Sequence, residues 1–153
     1  MKKTIESAKT SRRLFLHSSC AVGMAVGCGA PIQGGSDPQS FGSVSAGNVS
    51  ALPAGSLEAV SGEPLIIGRD AQGLYAMTST CTHAGCDMTL YGDVTPQGVY
   101  CGCHGSRFDA NGNVMRGPAS APLSHFAVAV DASGNITVDG TEQVAASVRT
   151  KVG

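Results

Sequence analysis

From Ser56 onward, apolar residues arrive in short runs cut by Gly, Asp, Asn and Pro. Such runs predict strands and hairpin turns. Residues 57–60, 64–68 and 74–78 are the first three, separated by Ser61-Gly62-Glu63 and by Asp70-Ala71-Gln72-Gly73. Residues 88–91 and 99–100 flank a turn over 92–98, and 107–109 and 113–115 surround Ala110-Asn111-Gly112. Residues 126–130 and 135–138 enclose Asp131-Ala132-Ser133-Gly134. After residue 55 no segment carries a helical period until 142–148, which reads as a short helix or a last strand. The pattern predicts an all-β domain over 55–140, with 141–153 as a C-terminal tail.

Upstream the pattern changes twice. Residues 29–54 are Gly, Ser, Pro, Gln and Asn with few apolar positions, the composition of a flexible tether. Residues 1–28 read as an export signal, in which Ser11-Arg12-Arg13-Leu14-Phe15-Leu16 resembles the twin-arginine consensus. The apolar run over 14–27 is broken by His17, Ser18 and Ser19 and is short for a membrane span, which takes about 20 apolar residues. Ala25-Val26-Gly27-Cys28 resembles a lipoprotein box with Cys28 as the acylated residue. An uncleaved leader serving as anchor and simple cleavage after Gly29-Ala30 are the alternatives.

Charge follows this division. The whole chain has a net charge of −1, but five of its ten basic residues lie in the first thirteen positions. Without residues 1–27, five basic and ten acidic residues remain, a balance of −5. That excludes nucleic acid as a natural partner and suits a basic redox protein. With 4 Phe, 3 Tyr and no Trp the core is modest, and 21 Gly and 7 Pro demand many turns.

The chemistry is concentrated in two stretches, Cys81-Thr82-His83-Ala84-Gly85-Cys86 and Cys101-Gly102-Cys103-His104-Gly105-Ser106. Each offers one Cys and one His at short spacing. The seventeen residues between His83 and Cys101 leave room for a strand, a turn and a returning strand. Two hairpin tips could so close four ligands around one metal centre. Cys2His2 also serves zinc, but zinc sites usually pair like with like, C-x-x-C and then H-x-x-x-H. Cys86 and Cys103 sit one in each loop, as a disulfide or as two buried thiols. No nucleophile–base pair and no phosphate loop is legible.

Cys-Thr-His-Ala-Gly-Cys at 81–86, with Cys-His-Gly-Ser-Arg-Phe-Asp at 103–109, resembles the Rieske iron–sulfur signature over residues 55–140. The resemblance implies one [2Fe–2S] cluster per chain, with Cys81 and Cys101 on one iron and His83 and His104 on the other. It implies a β-sandwich with a small inserted cluster-binding subdomain, about residues 80–119. It also implies a Cys86–Cys103 disulfide, as in Rieske proteins of respiratory complexes and arsenite oxidases; the ferredoxins of ring-hydroxylating dioxygenases lack that pair. Gly117-Pro118-Ala119 matches the proline loop that covers the cluster, and Ser106 matches a hydroxyl bonded to a bridging sulfide. Quinol-oxidising members carry Tyr where Phe108 stands and Leu where Ala84 stands. Those departures point toward the small stand-alone exported bacterial Rieske proteins.

The function these readings imply is one-electron transfer on the outer face of the cytoplasmic membrane, with a lipid or N-terminal anchor. The partner would be a redox protein such as a c-type cytochrome. The rival readings are a subunit of a quinol-oxidising bc-type complex or of an arsenite-oxidase-like molybdenum enzyme, and a zinc-stabilised binding module.

Overall fold

The computed structural model describes residues 41–152. The export signal, Cys28 and the tether up to residue 40 lie outside the described residues. Ten strands form two antiparallel sheets. They are β1 (Ser43–Asn48), β2 (Leu57–Ala59), β3 (Leu65–Asp70), β4 (Gly73–Thr78), β5 (Gly92–Thr95), β6 (Gly98–Cys101), β7 (Arg107–Asp109), β8 (Val114–Arg116), β9 (His125–Val130) and β10 (Asn135–Val144). The larger sheet runs β1-β10-β9-β4-β3-β2, and the smaller runs β5-β6-β7-β8. Since β4 pairs directly with β9, the smaller sheet is an insertion between two neighbours of the larger one. Among the described residues the helical structure is a single 3-10 turn, Val49–Ala51, and no helix is long and apolar enough to cross a membrane.

The all-β expectation holds, and the turn chemistry explains how. Asp109-Ala110-Asn111-Gly112-Asn113 and Asp131-Ala132-Ser133-Gly134-Asn135 build the same loop twice. In each, the Asp carboxylate accepts backbone N–H groups two and four residues on, at 2.8 and 2.9 Å, and the Asn side-chain amide closes onto its other oxygen. The Gly of each takes φ near +80° (+75° and +82°), a region that costs glycine nothing.

Strands β3 and β4 join the two layers. Side chains alternate along a strand, so Leu65, Ile67, Leu74 and Ala76 point into a core with Leu52, Phe126, Ile136 and Val138. Ile66, Tyr75 and Met77 point the other way, into a core shared with Cys81, Met88, Val99, Cys101 and Phe108. All six residues of β4 are buried as a result. Tyr75 lies across its cross-strand partner Gly68, where any Cβ would meet the ring. Its hydroxyl can then donate to Ala110 O, 2.8 Å away in the inserted sheet.

Three expectations shift. Strand β1 lies inside the stretch expected as a tether over 29–54, so the folded domain begins before residue 55. Ser43 to Ser45 pair with β10; short, polar alternation hid an edge strand. Residues 88–91 are a turn, because Asp87 accepts from the N–H and hydroxyl of Thr89, and its carbonyl accepts from Tyr91 N (2.9 Å). The strand comes next, as β5, where a turn was expected. The tail is also built in: β10 reaches Val144, and Leu74 and Thr150 exchange backbone hydrogen bonds of 2.8 and 2.9 Å.

Candidate metal centre

The two motif loops have the same backbone design. Cys81 N–H donates to Cys86 O (2.8 Å) and Gly85 N–H to Cys81 O (2.9 Å). Cys101 N–H donates to Ser106 O and Gly105 N–H to Cys101 O, both at 2.9 Å. Gly85 and Gly105 occupy equivalent positions at φ +74° and +83°, where a side chain would be strained. Each loop therefore turns its Cys inward and carries its His on the turn itself, ahead of the Gly.

Depth separates the four donors. Cys81 and Cys101 are free thiols, 2 % and 1 % exposed, within the core that contains Met88 and Phe108. His83 and His104 are exposed, with ring centroids 4.8 Å apart. Burial raises the Cys81 thiol's pKa, and the neighbouring Cys101 adds to this, against hydrogen bonds from His83 N–H and Ser106 that favour the thiolate. A proton-free sulfur here therefore calls for a cation. Pairs of like donors, each drawn from both loops, fit a two-iron cluster with one pair per iron. Neither pair belongs to a single loop, as zinc-finger spacing would require.

Three further ties hold the loops. Cys86 and Cys103 form a disulfide between them, as the resemblance implied. Their sulfurs lie with that of Cys101 within 4.8 Å of one another, yet of these three only Cys101 keeps a thiol to offer a metal. The segment with the cis Gly117–Pro118 peptide closes the third side. There Ala119 N–H donates to the buried Ser106 hydroxyl (3.0 Å), and Thr82 donates to Ala121 O (2.6 Å). Since Ser106 accepts from Ala119, its own proton remains available to the Cys81 sulfur. Phe108 is 3 % exposed and packs in the same core as both thiols. The Thr82 tie was not legible, since nothing in the sequence marks its acceptor, a backbone carbonyl in a loop.

His125, the first residue of β9, is 3 % exposed. Its Nδ1–H donates to Leu123 O (3.2 Å), and Nε2 is buried without a partner among the described residues. Burial pushes its pKa below 6.5. The unfolded chain then binds a proton that the folded chain refuses, so this stability is present above the unfolded value and lost as pH falls through the folded one. Denaturant unfolding from about pH 7 to about pH 5 should show falling stability in the wild type and a shallower fall in His125→Gln. Equal slopes would mean that folding does not lower the proton affinity of His125.

Comparison with known proteins agrees with this geometry. The family model described as the Rieske [2Fe-2S] domain matches residues 43–127, more than half of the chain. The cytochrome b6-f complex iron-sulfur subunit of Synechococcus sp. (strain WH7803) is 36% identical over 91 residues, 56% of this chain and 50% of that protein. The corresponding subunit of Prochlorococcus marinus (strain MIT 9211) is 36% identical over 80 residues, 49% of this chain and 44% of its own. The chain thus spans about half the length of these curated relatives. Among solved structures, the cyanobacterial plasma membrane Rieske protein PetC3 from Synechocystis PCC 6803 is similar at 29% identity and TM-score 0.50. The match covers 63% of this chain and 98% of that one.

Proposed function

Because the chain belongs to the Rieske [2Fe–2S] family, we propose that it is a stand-alone one-electron carrier, exported by the twin-arginine route and held by lipid on Cys28 at the outer face of the cytoplasmic membrane. Cys81 and Cys101 hold one iron, and His83 and His104 the other. When bound, such a cluster supplies a one-electron couple, which imidazole ligation raises to roughly −150 to +300 mV. The observation that carries the reading is the ordering of donors by depth, with thiols in the core and imidazoles at the surface. The imidazole edges are the part of the donor set that a partner can touch, so an electron enters or leaves there. Ser106 turns its proton toward the Cys81 sulfur and favours negative charge on it. Phe108 keeps water from the thiol pair and gives it no hydrogen bond.

The similarity to cytochrome b6-f subunits supports a second reading, a subunit of a quinol-oxidising complex. Phe108 and Ala84 stand against it, at positions where quinol-oxidising members carry Tyr and Leu. Visible absorption and EPR of the purified protein, followed by identification of co-purifying redox proteins, test both. A colourless protein containing zinc would sink the electron-carrier reading. Replacing Arg12 and Arg13 together by Lys should strand the protein in the cytoplasm, because an ammonium does not reproduce a guanidinium's planar donor array. Cys28→Ala should release the exported domain from membranes, whereas continued attachment would favour an uncleaved anchor.

A further inference from the structure

Nine acidic and five basic residues lie among the described residues, and two of the basic ones are committed to the fold. Arg69 donates to the carbonyls of Val49 and Leu52, at 3.4 and 3.1 Å. Arg149 bonds Asp70 and Asn111, at 2.6 and 2.7 Å, and lies over Tyr75. Lys151 belongs to the tail. The other two, Arg107 and Arg116, stand directly opposite each other on β7 and β8. Both are exposed, and neither has an ion pair among the described residues. Arg107 touches the Tyr100 ring, 5.0 Å from its centroid.

The strand register extends this pair into a row, Asp93–Tyr100–Arg107–Arg116, on one face of the inserted sheet. Asp93 is at the far end, two strands from Arg107. The other carboxylates of the subdomain are engaged: Asp87 accepts from Ser79 and Thr89, and Asp109 caps its own turn. Like charges placed opposite each other across a ladder destabilise it, so the fold gains nothing from this pair. Its position suggests a use. Arg107 follows Ser106 at the end of the second loop, three residues from His104, and Arg116 leads into Gly117-Pro118. Beside them Met115 is the extra residue of a β-bulge and is 68 % exposed. Bulges commonly re-aim a side chain beside a functional site.

We propose that Arg107 and Arg116 form the basic edge of a docking surface for an acidic redox protein, which they orient against the exposed imidazoles of His83 and His104. This rests on the electron-carrier reading. It reverses the preference for a basic partner that net charge alone suggests. The exposed carboxylates Glu58, Asp131 and Glu142 lie on the larger sheet and its turns. They would repel an acidic partner while the arginine edge draws it in, giving orientation as well as rate. Met115 supplies an apolar contact of the kind enriched in interface cores. An anionic membrane fits less well, since lipid-binding segments gather about 4–8 basic residues.

The test uses the holoprotein with an acidic plastocyanin as probe. One electron leaves the reduced cluster and reduces Cu(II) to Cu(I), and no bond forms or breaks. Binding to immobilised plastocyanin at low salt should weaken about 3- to 10-fold in Arg107→Gln/Arg116→Gln and further in the double Glu variant. The double Lys variant should stay within about 2-fold of wild type, and added salt should remove the differences. Electron-transfer rates should follow the same order while the EPR signals stay unchanged. Unaltered binding in the Gln and Glu variants would overturn the proposal. So would tighter binding to a basic cytochrome c, or arginine-dependent binding to phosphatidylglycerol vesicles without plastocyanin binding. A wild type lacking the reduced EPR signal would sink the electron-carrier reading alone, since the binding arm still reports on the surface.

Discussion

Protein with Ser in place of His83 or His104 is expected to lose the reduced Rieske EPR signal completely, along with the bound iron of that site. Each imidazole comes from a different loop, and the two rings sit side by side at the surface. Removing either leaves one donor where two are needed, and a serine hydroxyl is a poor ligand for iron that imidazole and thiolate suit. The fold should survive, because both histidines are exposed and the core between the sheets is made by other residues. Far-UV circular dichroism and iron and sulfide analysis, read beside EPR, separate cluster loss from unfolding. An unchanged signal in either variant would show that the imidazole is not a ligand.

The two Cys–His loops were legible from residue type and short spacing, while the ligand set and the Cys86–Cys103 pairing came from the family resemblance those loops carry. The structure shows the disulfide, sets both free thiols in one core and places the two imidazole rings 4.8 Å apart. The two D-A-x-G-N turns were legible for a similar reason, since each encodes its hydrogen bonds within five residues. What failed was information not held locally. Strand β1 is polar on one side and only half-buried on the other, and it becomes a strand because β10 offers a partner. Residues 88–91 alternate apolar and polar as a strand would, yet Leu90 and Tyr91 end 72 % and 62 % exposed because Asp87 holds a turn there.

The tail shows the same limit over a longer span. Arg149 reaches Asp70 on β3, Asn111 in the inserted sheet and the face of Tyr75. Burial works to raise the Asp70 pKa, and the Arg149 bond with the Gln72 and Gly73 amides overcomes this and holds it below its ordinary value. Periodicity over 142–148 cannot report such contacts, because they join residues 79 and 38 positions apart.

Replacing Cys86 and Cys103 together by Ala should leave a cluster-containing protein that melts on the order of 10 °C lower and bleaches faster on heating. The disulfide links residues 17 apart. Closing a loop of that size is worth about 3 kcal/mol in the chain-entropy model, and at about 4 °C per kcal/mol for a domain of this size the shift follows. Cluster loss should accelerate because the disulfide ties the two loops directly. Their other ties run through the third loop, by the Thr82–Ala121 and Ala119–Ser106 hydrogen bonds. The double variant is the informative one. A single replacement would leave a free thiol within 4.8 Å of Cys101, where it could compete as a ligand or form a wrong disulfide. Melting followed by circular dichroism, with cluster absorbance recorded in parallel, checks both effects. A double variant that melts and bleaches with the wild type would show that the remaining two hydrogen bonds suffice to hold the loops.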